Sequence, residues 1–137
     1  MSQRGRPLIV AGVMDEDEEG PGPVGATVLL IDDDALILRA LQALIARAGY
    51  RVLAARDTES ALAAARAHAI DGIVIDVRLP GTTGYAVAQS VGKLHPAARV
   101  LYMSGHGEMP ADLNGARFLA KPFSAAELMR ELDALLS

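Results

Sequence analysis

The chain contains no cysteine and no tryptophan. Without cysteine there can be no disulfide framework, no thiolate metal site and no cysteine nucleophile, a composition that suits a reducing, cytoplasmic setting. Aromatic residues make up only 4% of the 137 positions, so any core must be built from Ala, Leu, Val and Ile. The apolar runs stay far below the roughly 20 residues of a membrane span, so no membrane segment is expected. The basic residues form no cluster or aromatic-interleaved stripe, and the formal net charge is -4, so direct nucleic-acid binding is not expected either. What is present is a hydrophobic fraction of 51% against 22% charged residues, which excludes global disorder. The length is about one domain's worth, enough for one sizeable core and not for two catalytic domains.

Residues 1–25 read as a flexible tail or linker. Arg4 and Arg6, an apolar patch from Leu8 to Val13, the acid run Asp15 to Glu19 and Gly20-Pro21-Gly22-Pro23 show no core pattern. The early arginines and apolar stretch faintly suggest a secretory signal, but the run is minimal, acids follow it, and no small-x-small cleavage site is present. Five acids and two arginines give this segment a charge of -3, so residues 26–137 carry only -1 of the total -4.

From Thr27 onward short apolar runs alternate with helical patterns, the signature of βα repeats around a parallel sheet. The runs are Thr27 to Ile31, Arg51 to Ala55, Gly72 to Ile75, Arg99 to Met103 and Arg117 to Ala120. Between them, Leu38, Leu41, Ile45 and Ala48 fall on one helical stripe closed by Gly49 as a left-handed cap. Asp57 can cap a helix running to about His68, and Val87, Val91 and Leu94 mark another that stops before Pro96. Ser124-x-x-Glu127 is a capping box opening a last helix whose Leu128, Leu132 and Leu135 face inward. Only Gly105 to Ala116 separate the last two strands, too few residues for an ordinary helix with its connections, so the fourth helix is expected to be short or missing.

Strand one runs into Asp32-Asp33-Asp34, and strand three ends in Asp76. In a parallel sheet these acids gather at the carboxyl ends of the strands, where open α/β sheets bind ligands. Two carboxylates about 5 Å apart repel by roughly 3 kcal/mol at an effective dielectric of 20, so the group needs a cation or a proton. With only oxygen ligands on offer, Mg2+ is the natural guest. The alternative is that Asp33 or Asp34 caps the first helix, and for Asp34 capping is the favoured reading. Lys121 follows the fifth strand at the same edge. The chain has two lysines against eleven arginines, so a lysine here suggests a need for a compact point charge, as in contact with one phosphoryl oxygen. Ser104 ends strand four and adds a hydroxyl at the same level. Carboxylates, a hydroxyl and a lysine drawn from four strands suit phosphoryl transfer. Neither a P-loop nor a G-x-G-x-x-G occurs, so the phosphoryl donor must be another molecule.

With these residues in place, the chain resembles the response-regulator receiver domains of two-component signalling. Val28 to Asp34 resembles the family's first strand and acidic pair, and Ile73-Val74-Ile75-Asp76-Val77-Arg78-Leu79-Pro80-Gly81 its phospho-acceptor segment. Leu101-Tyr102-Met103-Ser104-Gly105 resembles the switch-hydroxyl strand, and Phe118-Leu119-Ala120-Lys121-Pro122-Phe123 the closing Lys-Pro motif. The wording around Tyr102 to His106 and Phe118 to Pro122 is most similar to receivers of hybrid histidine kinases. The resemblance spans residues 26–137 and implies a flavodoxin-like doubly wound sheet of five parallel strands in the order 2-1-3-4-5. It implies Asp76 as phosphoryl acceptor, Asp33 as a direct Mg2+ ligand with Asp76, Asp32 as a ligand mainly through water, and Arg78 as a metal ligand through its backbone carbonyl. Ser104 and Lys121 would bind phosphoryl oxygens, Ser104 and Phe118 would form the switch, and the Lys121-Pro122 bond would be cis. Thr82-Thr83-Gly84 departs from the family, where an acid before the Gly is common, at a position expected to face solvent with small effect.

The expected function is therefore phospho-acceptance from a histidine kinase or histidine phosphotransfer protein, followed by conformational switching toward a downstream effector. On this reading the chain is no enzyme beyond catalysing its own phosphorylation and dephosphorylation. Arg78 and His106 flank the pocket and are candidates for controlling the lifetime of the phosphoryl group. Two rivals stand beside it. A phosphatase of the haloacid-dehalogenase type would use Asp32 as nucleophile and Asp34 as general acid, though Ala35 and the lack of a fourth acidic motif fit it poorly. A pseudo-receiver would dock partners without ever accepting phosphate.

Overall fold

Uninterrupted runs of aliphatic residues are what a strand buried on both faces requires. Five such runs form one parallel sheet in the computed structural model, which describes residues 25–105 and 115–137. In chain order, with a small antiparallel ribbon between the third and fourth of them, the strands are as follows. The first three are β1 (Thr27–Ile31), β2 (Arg51–Ala55) and β3 (Gly72–Asp76). The ribbon is β4 (Arg78–Leu79) with β5 (Thr82–Thr83), and β6 (Arg99–Ser104) and β7 (Arg117–Ala120) complete the sheet. The sheet order is β2-β1-β3-β6-β7, which is the expected 2-1-3-4-5 once the ribbon is left out of the count. Ile31 lies beside Ile75, and Asp76 beside Met103, so the residues following β1, ending β3 and ending β6 share one edge.

Four helices flank the sheet among the described residues: α1 (Ala35–Arg47), α2 (Thr58–Ala67), α3 (Gly84–Leu94) and α4 (Ala125–Leu136). Alternate strand residues point to opposite faces. Val28, Leu30, Val74, Leu101 and Met103 therefore meet Leu38, Leu41 and Ile45 of α1 and Leu128, Leu132 and Leu135 of α4. Leu29, Ile31, Ile73 and Ile75 meet Ala61 and Ala65 of α2 and Val87 and Val91 of α3 on the other side. Asp57 and Ser124 close capping boxes at the starts of α2 and α4. The Tyr50 hydroxyl donates to Asp133 and ties the start of β2 to α4.

Several expectations need correction. Ala48 is not on the buried stripe; α1 ends at Arg47, and Ala48 is its exposed C-cap, followed by Gly49 at φ +105°. Leu94 is the last residue of α3 and is 43% exposed. His95, the next residue, adds a polar contact to α2, its Nε2 lying 2.6 Å from the Ala65 carbonyl oxygen. Thr83 is exposed as expected but is not idle: its hydroxyl accepts from Ala86 N at 3.1 Å and caps α3. The stretch 106–114, where the shortened helix was expected, lies outside the described residues, as does the tail up to residue 24.

Leu132 is fully buried between α4 and the sheet. Leu132→Ala is expected to lower the unfolding free energy by about 2–5 kcal/mol, read as a fall in the urea midpoint without a large change in slope.

Candidate functional site

The sheet delivers its polar residues to the edge where β1 and β3 diverge to opposite sides. Asp32 extends β1 by one residue, its amide donating to Ala55 O at 3.2 Å, and is 1% exposed. Its Oδ1 accepts from Asp34 N at 2.9 Å. Asp34 is the N-cap of α1, with Oδ1 accepting from Leu36 N at 2.9 Å and Ile37 N at 3.3 Å. Asp33, between them, is exposed. Asp76 ends β3, and its Oδ1 accepts from Arg78 N at 2.8 Å, which fixes one carboxylate oxygen and leaves Oδ2 facing the cleft.

Lys121 arrives from the far side, one residue past β7. Its Nζ donates to Asp76 Oδ2 at 2.6 Å and reaches Asp32 Oδ2 at 3.5 Å. The Lys121 amide donates to the carbonyl of Ser104 at 2.7 Å, and the Lys121-Pro122 bond is cis. Ser104 is 2% exposed at the end of β6. Phe118, on β7 beside Tyr102, is half-buried against the α2/α3 core. Of the expected site residues, Asp32, Asp76 and Lys121 are thus in direct contact. Asp33, Asp76, Arg78, Gly105 and Lys121 line one cavity of about 320 Å3. His106 lies outside the described residues. A larger cavity of about 910 Å3 runs along α3, the opening residues of β6 and β7 and the end of α4, away from the acids.

Burial, followed by the proximity of Asp76, holds the Asp32 carboxyl above its usual range despite the opposing Asp34 amide and Lys121 ammonium. Burial alone would lower the Lys121 ammonium, but its hydrogen bond to Asp76 and the charges of Asp32 and Asp76 outweigh this and hold it above the usual lysine range. The ammonium is a monovalent answer to two carboxylates. Among the described residues no group of three or more acids or histidines forms a ready metal cluster. Mg2+ does not need one: it takes one or two carboxylates and keeps several waters. The exposed Asp33, the Asp76 carboxylate and the Arg78 backbone around one open cavity are hard oxygen donors of that kind, so the donor set fits Mg2+.

Sequence reasoning did not find the ribbon that carries Arg78, nor the role of Thr83 and Gly84. Pro80-Gly81 between Leu79 and Thr82, with Gly81 at φ +74°, is a two-residue turn signal that could have revealed the ribbon. Thr83 just ahead of the stripe of Val87 and Val91 is the corresponding helix-start signal.

A doubly wound sheet with acids at its switch point and a lysine from the last strand defines a receiver-like α/β module. The family model for the response regulator receiver domain matches residues 28–133. The chain belongs to this family of two-component signalling domains. It is 30% identical over 116 residues to the uncharacterized transcriptional regulatory protein YbdJ of Bacillus subtilis, covering 82% of this chain and 51% of YbdJ. The chain spans about half or less of the curated relatives it matches: 24% of the regulator DctD of Rhizobium meliloti and 37% of the activator PfeR of Pseudomonas aeruginosa. Among solved structures, the receiver domain of the hybrid histidine kinase CckA is similar, with 28% identity, a TM-score of 0.73, and coverage of 82% of this chain and 100% of that one. The response regulator TrrA of Thermotoga maritima, solved in complex with Mg2+ and BeF, is 25% identical with a TM-score of 0.71, covering 81% and 99%.

The raised Asp32 carboxyl carries a stability consequence. The folded state holds a proton that the unfolded chain releases near pH 4, so stability falls as pH rises through that range. In EDTA, Asp32→Asn is expected to have a higher urea midpoint than the wild type at pH 7, with the difference closing below about pH 4. An equal or lower midpoint at pH 7 would contradict the burial cost.

Proposed function

We propose that this domain accepts a phosphoryl group on Asp76 from a phosphohistidine of a histidine kinase or histidine phosphotransfer protein. The observation that carries the reading is the Asp76 carboxylate, one oxygen pinned by Arg78 N and the other at 2.6 Å from the Lys121 ammonium, opening on a cavity that Asp33 also lines. An Asp76 oxygen attacks phosphorus, the P–N bond of the donor breaks, and the departing imidazole keeps the electron pair and takes up a proton. The domain supplies these groups itself, so its own phosphorylation and dephosphorylation are the extent of its catalysis. Asp33, Asp76 and the Arg78 carbonyl would hold Mg2+, with Asp32 acting through water. When bound, the ion supplies the charge that neutralises the phosphoryl oxygens.

The acyl phosphate adds about two negative charges and three acceptor oxygens. Lys121 then exchanges the carboxylate for a phosphoryl oxygen, Ser104 moves its hydroxyl toward another, and Phe118 turns inward to follow it. Reversing a 1:99 equilibrium to 99:1 would require about 5.5 kcal/mol of differential stabilisation, so partial switching is expected. Arg78 and His106 set the lifetime of the phosphoryl group by controlling water access.

Residues 26–137 make up the receiver, with 1–25 as tail or linker, and its setting is the cytoplasm, where such donors work. No helix among the described residues is long and apolar enough to cross a membrane. The expectation of no nucleic acid is narrowed to this chain, which has no basic stripe; the names of YbdJ and PfeR attach transcriptional control to longer proteins. The phosphatase alternative is weakened by Asp34, its would-be general acid, capping α1.

Incubation with acetyl phosphate and Mg2+, followed by peptide mass mapping, is expected to label Asp76, and Asp76→Asn to remove the label completely. Continuous turnover through Asp32 would favour the phosphatase, and no label on any carboxylate the pseudo-receiver.

A further inference from the structure

Asp76 is held by more than its own strand. The residue after it is gripped from both sides: Val77 N donates to Met103 O of β6 at 2.9 Å, and Val77 O accepts from Gly84 N at 2.7 Å. Gly84 is buried at the first position of α3, directly behind its cap Thr83. A Cβ built on Gly84 would overlap the Asp76 carbonyl oxygen and come within 3.0 Å of its carbon and 3.1 Å of Val77 Cα. These are backbone atoms, which cannot swing aside as the end of a side chain can. No positive φ demands glycine here. The requirement is close approach alone.

The consequence reaches the carboxylate. Asp76 Oδ1 accepts from Arg78 N, two residues on in the same gripped segment, and Arg78 pairs with Thr83 across the ribbon. The direction of the Asp76 carboxylate therefore depends on where α3 places the Asp76–Val77 peptide. We infer that Gly84 is a positioning residue for Asp76, its missing side chain letting the start of α3 press on the Asp76 carbonyl and so fix the aim of the carboxylate. This deepens the proposed function and rests on Asp76 being the acceptor.

Substituting alanine must shift that peptide or the start of α3, and either change alters the hold on the carboxylate. Displacement of a reacting group by about 1 Å can cost up to about 100-fold in rate. Gly84→Ala, kept at a temperature where urea titration shows it folded, is expected to label with acetyl phosphate and Mg2+ at least 10-fold more slowly than wild type, while reaching half-maximal rate at a similar acetyl phosphate concentration. A merely destabilised protein would behave differently, with a smaller labelled fraction and an unchanged rate constant. Gly92→Ala, in the same helix with open space around its Cβ, serves as the control and is expected to keep the wild-type rate.

If Gly84→Ala does not fold, Thr83→Ala loosens the same grip by removing the helix cap and is expected to slow labelling about threefold. A wild-type rate constant in folded Gly84→Ala, or in Thr83→Ala where the first variant fails to fold, would overturn the inference. Absence of label in the wild type would instead overturn the acceptor role of Asp76.

Discussion

Two acids sit where adjacent parallel strands end, and they cannot be kept apart without breaking the register of the sheet. Ile31 and Ile75 are paired and fully buried, so Asp32 and Asp76, one residue further along, are brought to the same edge. The apolar strands enforce a juxtaposition that the carboxylates oppose. Lys121 answers it, with its ammonium against both acids and its own side chain only partly exposed. An exposed ion pair of this kind would be worth little. Here the lysine side chain is 22% exposed and Asp32 only 1%, so the pair is hard to separate without leaving a buried charge unmatched.

The rest of the fold holds these three groups in place. The α1/α4 face, with Leu132 and Leu135 packed on Leu101 and Met103, supports the two strands that bring Ser104 and Lys121 to the edge. The α2/α3 face supports β3 from the other side, and the first residue of α3 meets the Asp76 backbone directly. A core with no Trp and few aromatics manages this through many small aliphatic contacts, and the rigidity comes from close packing rather than from any single large side chain. An acyl phosphate on Asp76 would compete for the same ammonium that now stabilises the acids. On the proposed reading, that competition would be the origin of the conformational response.

The sheet strands were legible in the sequence because each is a short run of Val, Ile and Leu bounded by turn residues, and β1, β2 and β7 have the bounds read from the sequence. β3 and β6 each extend one residue further, to Asp76 and Ser104, since ladder hydrogen bonds continue past the last apolar side chain. Ala48 was placed on the α1 stripe, although it caps the helix, because periodicity does not say where a helix stops; α3 does end at Leu94, before Pro96. The β4–β5 ribbon was missed because two-residue strands carry no periodicity. Thr83 was read for the acid it replaces and not for its hydroxyl, which is the group the helix start uses.

By itself, the order of apolar runs and the residues ending them determined the class of fold, the edge at which the acids and the lysine gather and the identity of the charged groups there. Those are local properties, set by which side chains must be buried and which cannot be. Only the tertiary structure decided which oxygen of Asp76 the Arg78 amide pins and which the ammonium holds, that Lys121 spans both Asp32 and Asp76, and that Gly84 must lack a side chain. Each of these depends on distances between segments tens of residues apart, and a sequence encodes such distances only through the packing of the whole chain.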